Sequence, residues 1–191
     1  MPWPGWMGMG DPEMEAYWRS ILWQQFGAAI DMLENALNAC PDELWNVRMW
    51  NDPAFSPEFS EFWYVAYHCL FWTDLYLSGA VEGFTPPAPF TLDELDPAGV
   101  LPDRRYTRDE LLAYLEHCRR KCQATIETLT DEQAKRKCKY MSGEISFGGS
   151  LLDTMRHVQE HGAQLNMILG QKKGLGSHWV SQDLSGKPLK T

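Results

Sequence analysis

The sequence predicts an all-α fold, a four-helix bundle with long crossover connections, on three observations. Apolar residues recur every three or four positions through four segments of roughly 20 to 28 residues, the repeat of helices with one face turned inward. Residues that start and stop helices bracket those segments, and no stretch reads as a convincing strand. Two connections are long, one of about 26 residues, a length that marks a crossover or a functional loop rather than a hairpin turn. Composition agrees: 191 residues, 44% hydrophobic and 23% charged, fit one domain large enough to bury a core, with nine tryptophans to help fill it. The divisions expected are an irregular arm over 1–11, a helical domain over 12–182 and a tail over 183–191.

The arm is mainly Gly, Pro, Met and Trp, which form neither helix nor strand, and its two tryptophans are expected to pack on the body. The first helix runs from Pro12 to Ala39, with Trp18, Ile21, Leu22, Ala29, Met32, Leu33, Ala36 and Leu37 at helical spacing. Asp11 supplies its N-cap, Pro12 its first position, and Pro41 follows its end. A proline-bearing connector, PDELWNVRMWNDPAFSP, precedes a second helix expected from Pro57 to Ser78 and stopped by Gly79. The long loop VEGFTPPAPFTLDELDPAGVLPDRRY comes next. It could span the length of a 22-residue helix, about 33 Å at 1.5 Å per residue, which would let helices two and three run parallel.

Thr107 and Glu110 have capping-box spacing and open the third helix, through Leu111, Leu115, Cys118, Cys122, Ile126 and Leu129, to about Thr130. A second loop, DEQAKRKCKYMSGEISFGG, leads to the fourth helix, from about Ser150 to Gly170. The segment beyond it is expected to dock one tryptophan, Trp179.

Charge narrows the function classes. A net charge of -9 and a pI near 5.0 argue against nucleic acid, which demands clustered Lys and Arg. The runs RRK at 119–121 and KRKCK at 135–139 are short enough to be solvated surface. No span has the roughly 20 apolar residues of a membrane helix, and the N-terminus lacks the basic and apolar regions of a secretion signal, so a cytoplasmic protein is expected. Five cysteines, with no CxxC pair, suggest neither a disulfide framework nor a zinc ribbon, and Cys118 and Cys122 read as small core residues.

The chemistry-bearing pattern is HVQEH. At about 100° per residue, His157 and His161 sit side by side on the fourth helix, at the border between the stripe of Leu151, Val158, Leu165 and Leu169 and the polar strip of Asp153, Glu160 and Gln164. Imidazoles on adjacent turns suit one metal ion, and the competing reading is a hydrogen-bonded pair at the edge of the core. His68 lies mid-helix among YVAYHCLFW, where an unpartnered ring would cost free energy, and it makes a good third ligand from a facing helix. The inverted zinc-protease pattern H-x-x-E-H is also matched, but no Glu follows residue 161 to complete such a site. Glu61 and Tyr64, on the stripe of His68, and Asp153, Glu160 and Gln164 are candidates to orient the ligands, Gln164 and Asp153 foremost. His117 and His178 have no partner at ligand spacing and read as surface residues.

A helical chain with AYHCLFWTDLYL, then HVQEHGAQLNMILGQ and a short HWV tail resembles the DinB superfamily over about residues 12–182. The resemblance implies a four-helix bundle with long crossovers and a divalent metal, zinc or nickel among those seen, held by His68, His157 and His161. Related branches include thiol S-transferases and a mycothiol-dependent isomerase, which implies a low-molecular-weight thiol and a small-molecule electrophile as partners. Three neutral ligands would leave the ion its full charge to acidify a thiol or a water, so S-transfer and hydrolysis are both expected. The alternative is a non-catalytic, metal-stabilised binding or dimerisation module, suggested by the aromatic residues that cover the second helix and could line a homodimer seam.

Overall fold

The computed structural model describes residues 12–54, 56–141, 143–176 and 178–183. The N-terminal arm, the Asp11 cap and all but the first residue of the 183–191 tail lie outside them. The described chain is mostly helical, with helices α1 (Pro12–Ala39), α2 (Phe62–Ser78), α3 (Arg108–Glu127), α4 (Asp131–Lys135) and α5 (Phe147–Lys173). A two-stranded antiparallel sheet, β1 (Lys137–Tyr140) and β2 (Gly143–Ser146), precedes α5.

α2 is the central element. Nearly all of its side chains are buried, as expected of a helix apolar almost all round. The partial exceptions His68, Trp72 and Tyr76 are four apart, so α2 shows the outside one polar-tipped stripe. The helix begins at Phe62 rather than Pro57. Residues Pro57–Ser60 form a 3-10 turn, and Glu61 is extended (φ -71°, ψ 147°) because this stretch pairs with the preceding connector, Phe62 N–H donating to Val47 O and Met49 N–H to Ser60 O. Gly79, at φ 71°, ends α2 in the left-handed conformation as expected.

Pairs along the four long helices give their directions. Glu61 meets Arg105 just before α3, and Asp74 meets Lys121 within it, so α2 and α3 run parallel, joined by the long crossover. α1 runs antiparallel to α3, through Asp31 and Glu34 on Arg119 and Arg19 on Leu129 O. α5 runs parallel to α1, with Gly162 against Leu33 and Lys173 paired with Glu43, and antiparallel to α2. The crossover is anchored rather than loose: Phe84, Phe90 and Tyr106 are buried, and Phe90 stacks on Tyr114 of α3 at 4.2 Å.

Three further expectations are corrected. α5 starts at Phe147, capped by Ser146, whose hydroxyl accepts from Gly149 N–H (3.2 Å); Gly148 and Gly149 belong to the helix because its first turn packs closely on Ala134 and Ile145. The loop before it contains the sheet, in which KCKY alternates exposed and buried residues, with Cys138 and Tyr140 turned inward. Trp179 does not dock. Its ring is 71% exposed, and the tail is held by Asp183 N–H on Gln24 O and by Gln25 on Ser181 O. No described helix is long and apolar enough to cross a membrane.

Candidate metal centre

Antiparallel packing of α2 against α5 brings the three histidines together. Ring centroids are 5.5 Å apart for His68 and His157, 5.1 Å for His68 and His161, and 4.5 Å for the α5 pair. One potential ligand atom from each lies within 4.8 Å of the other two. His161 and His157 owe their common direction to the four-residue spacing, and His68 belongs to the half-exposed stripe of α2.

Hydrogen bonds fix two of the rings. His68 Nδ1–H donates to Glu94 Oε2 (2.8 Å) and His161 Nδ1–H to Gln164 Oε1 (2.8 Å), which leaves the Nε2 lone pair of each ring for another partner. Gln164 thus occupies the orienting position expected of it. Glu94 was not foreseen. It sits in a 3-10 turn of the crossover (Asp93–Leu95), and its carboxylate also accepts from Tyr64 Oη and from Trp72 Nε1 (2.7 Å). Three donors converge on a side chain that is only 5% exposed. Burial pushes the Glu94 carboxyl up, but the bonds from His68, Tyr64 and Trp72 outweigh it and hold the group below the usual range. Burial, with the charge of Glu94, pushes the Tyr64 hydroxyl up, so Tyr64 stays a donor. The length of this loop marked it as a crossover or functional loop, but nothing in the spacing singled out Glu94 from its four acidic neighbours.

The fit of a divalent cation rests on His157. Its Nε2 is buried without a hydrogen-bond partner among the described residues. An orphaned buried nitrogen costs about 1–3 kcal/mol, and a cation accepting its lone pair offsets that cost. Burial and the two neighbouring imidazoles push His157 down to about 3, and burial followed by His68 lowers His161 as well, so both rings are neutral donors at pH 7. Nitrogen-rich, three-residue donor sets of this kind suit zinc and nickel and leave room for a further ligand. That room exists: a cavity of about 410 Å³ has His68, His161, Glu94, Tyr64 and Trp72 on its wall.

The other candidates fall elsewhere. Glu61 is buried but engaged by Arg105 and Trp63, because it closes the start of α2. Asp153 is 59% exposed beside Arg156, and Glu160, the acid of the H-x-x-E-H pattern, is also exposed. Cys118 and Cys122 are core residues as expected, their thiols pushed up by burial. His178 is exposed as expected. His117 is not simple surface. Its Nε2 lies 3.2 Å from Asp74 Oδ1, because this buried carboxylate also draws Tyr114 and Lys121 and pins α3 to α2.

The comparisons with known proteins agree with this architecture. No curated protein matches the sequence significantly. The profile of the DinB superfamily, however, matches residues 25–165, a span that contains His68, Glu94, His157 and His161 and covers well over half of the 191 residues. A helical chain whose three histidines meet between the second and last long helices, and whose sequence fits that profile across both, belongs to the DinB superfamily.

Proposed function

We propose that this protein is a divalent-metal enzyme of the thiol S-transferase or small hydrolase type, with His68, His157 and His161 as ligands and zinc or nickel as the expected ion. The four long helices are read as a metal-holding four-helix bundle. The observation that carries the proposal is the buried Nε2 of His157, without a hydrogen-bond partner among the described residues and beside two other imidazoles.

When bound, the ion would supply the Lewis acidity that makes a low-molecular-weight thiol or a water nucleophilic near neutral pH. The chain's own groups do the rest. Glu94 holds His68 in the tautomer that presents Nε2, and Gln164 does the same for His161. Trp72 and Tyr64 fix Glu94 from the far side, and their rings narrow the cavity so that an apolar electrophile displaces its water. The buried neutrality of His157 keeps a proton from competing for its ligand position.

The test is metal content per chain, by plasma mass spectrometry on tag-free protein, for the wild type and His157→Ala together. Near one equivalent is expected in the wild type and almost none in the variant. The loaded protein is then screened with bacillithiol, mycothiol, glutathione and coenzyme A against a model electrophile, with ester hydrolysis in parallel. No metal in either protein after incubation with zinc and nickel would sink the proposal.

A further inference from the structure

The cavity beside the histidines has a chemical bias that the metal reading does not explain. Its walls combine four aromatic rings, Trp50, Phe59, Tyr64 and Trp72, with three carboxylates, Asp93, Glu94 and Asp96, all three on one turn of the crossover. No Lys or Arg is among its described lining residues. Glu94 is consumed by its three donors. Asp93 and Asp96 are not: each accepts a hydrogen bond from its own turn, from Thr91 Oγ1 and from Ala98 N–H, and neither forms an ion pair among the described residues.

The acidic lining decides what such a cavity prefers. Asp93 and Asp96 stand on its wall with no Lys or Arg among the described lining residues to offset them, so the wall is acidic apart from whatever the histidines hold. The whole chain, at -9, adds to the same sign. An anionic substrate is therefore opposed both near the site and at a distance. A cation is favoured twice, by the carboxylates of Asp93 and Asp96 and by the aromatic rings of Trp50 and its neighbours, whose faces attract positive charge. A volume of about 410 Å³ suits a small molecule with one ring or a short apolar body.

We infer that the molecule taken into this cavity is a small apolar compound bearing a positive charge, an alkyl- or aryl-ammonium, with its cationic head between Asp93, Asp96 and the indole of Trp50. This names the substrate class of the site proposed above and rests on that cavity being the reaction site. Asp93 and Asp96 set specificity; they take no part in holding the histidines.

Isothermal titration calorimetry of the full chain, zinc-loaded and metal-free, with benzyltrimethylammonium, benzyl alcohol and benzoate tests the inference. The ammonium is expected to bind about tenfold tighter than the alcohol, a difference of about 1.4 kcal/mol, and benzoate most weakly in both preparations. In the double variant Asp93→Asn, Asp96→Asn the preference for the ammonium should vanish while zinc content stays at the wild-type level. Equal or tighter binding of the alcohol or the benzoate, or no binding of the ammonium at millimolar concentration, would overturn the inference. Its failure is separable from that of the metal reading: a zinc-loaded chain that prefers benzoate sinks only the cation, and a chain that takes up no zinc but still selects the ammonium sinks only the metal.

Discussion

At the scale of single residues, Glu94 joins the histidine set to the crossover, holding His68 together with Tyr64 and Trp72. A carboxylate has room for three donors, whereas an amide offers one oxygen and turns its NH2 group toward another donor. In Glu94→Gln one of His68, Tyr64 and Trp72 must therefore lose its bond, and the charge that strengthens the other two disappears. Zinc affinity should fall about 10- to 100-fold, the usual cost of removing a group that orients a metal-binding imidazole. Competition with a chromophoric chelator measures this. Tyr64→Phe, which deletes one donor and leaves the carboxylate, should lose much less. Unchanged affinity in Glu94→Gln would mean that His68 is oriented by packing alone. The histidines themselves were legible in the sequence because helical spacing converts directly into a shared face. Glu94 was not, because a loop residue's position depends on where Phe90 and Tyr106 anchor the loop, and no local period encodes that.

At the scale of elements, the third helix shows how fully a local signal specifies its own structure. Thr107 Oγ1 accepts from Glu110 N–H, and the Glu110 carboxylate reaches back to Thr107 N–H, as the T-R-D-E spacing implies. Thr107→Ala should cost about 1 kcal/mol of unfolding free energy in urea, as loss of an N-cap does. The pH dependence has a definite sign. Arg104 first, with the Thr107 bonds, holds Glu110 down to about 2, below its ordinary 4.5, so its contribution is complete above pH 4.5 and is lost as pH falls toward 2. Glu110→Gln should flatten that part of the stability profile; a profile identical to that of the wild type would show the box to be idle. Where the signal was weaker the elements moved. The start of α2 was displaced by pairing with the connector at Val47 and Met49, and the β1–β2 hairpin was hidden because four-residue strands give too few alternations to stand out. α5 began early because Gly148 and Gly149, which read as loop by propensity, serve close packing.

At the scale of the whole molecule, the parallel run of α2 and α3 forces the crossover of 79–107 over the outside of α2, and this puts Glu94 and the acidic turn above His68. The three histidines then come from two antiparallel helices, one from α2 and two from α5, so an ion held by all three would brace helices far apart in the chain. A ligand that binds the folded state alone stabilises it by RT ln(1 + [L]/Kd), about 2.7 kcal/mol at a hundredfold excess over Kd. Wild-type unfolding should therefore shift upward with free zinc and return to its starting midpoint with chelator. His68→Ala separates a brace from a local clip. It leaves His157 and His161 on one helix, where an i, i+4 pair still holds zinc weakly but no longer ties α5 to α2. The zinc-dependent shift should shrink in this variant to less than half the wild-type value at equal free zinc, measured by chemical unfolding under metal-buffered conditions. An undiminished shift in His68→Ala would place the ion on α5 alone, and the convergence of His68 on that pair would then have to be explained by its bond to Glu94 rather than by a metal.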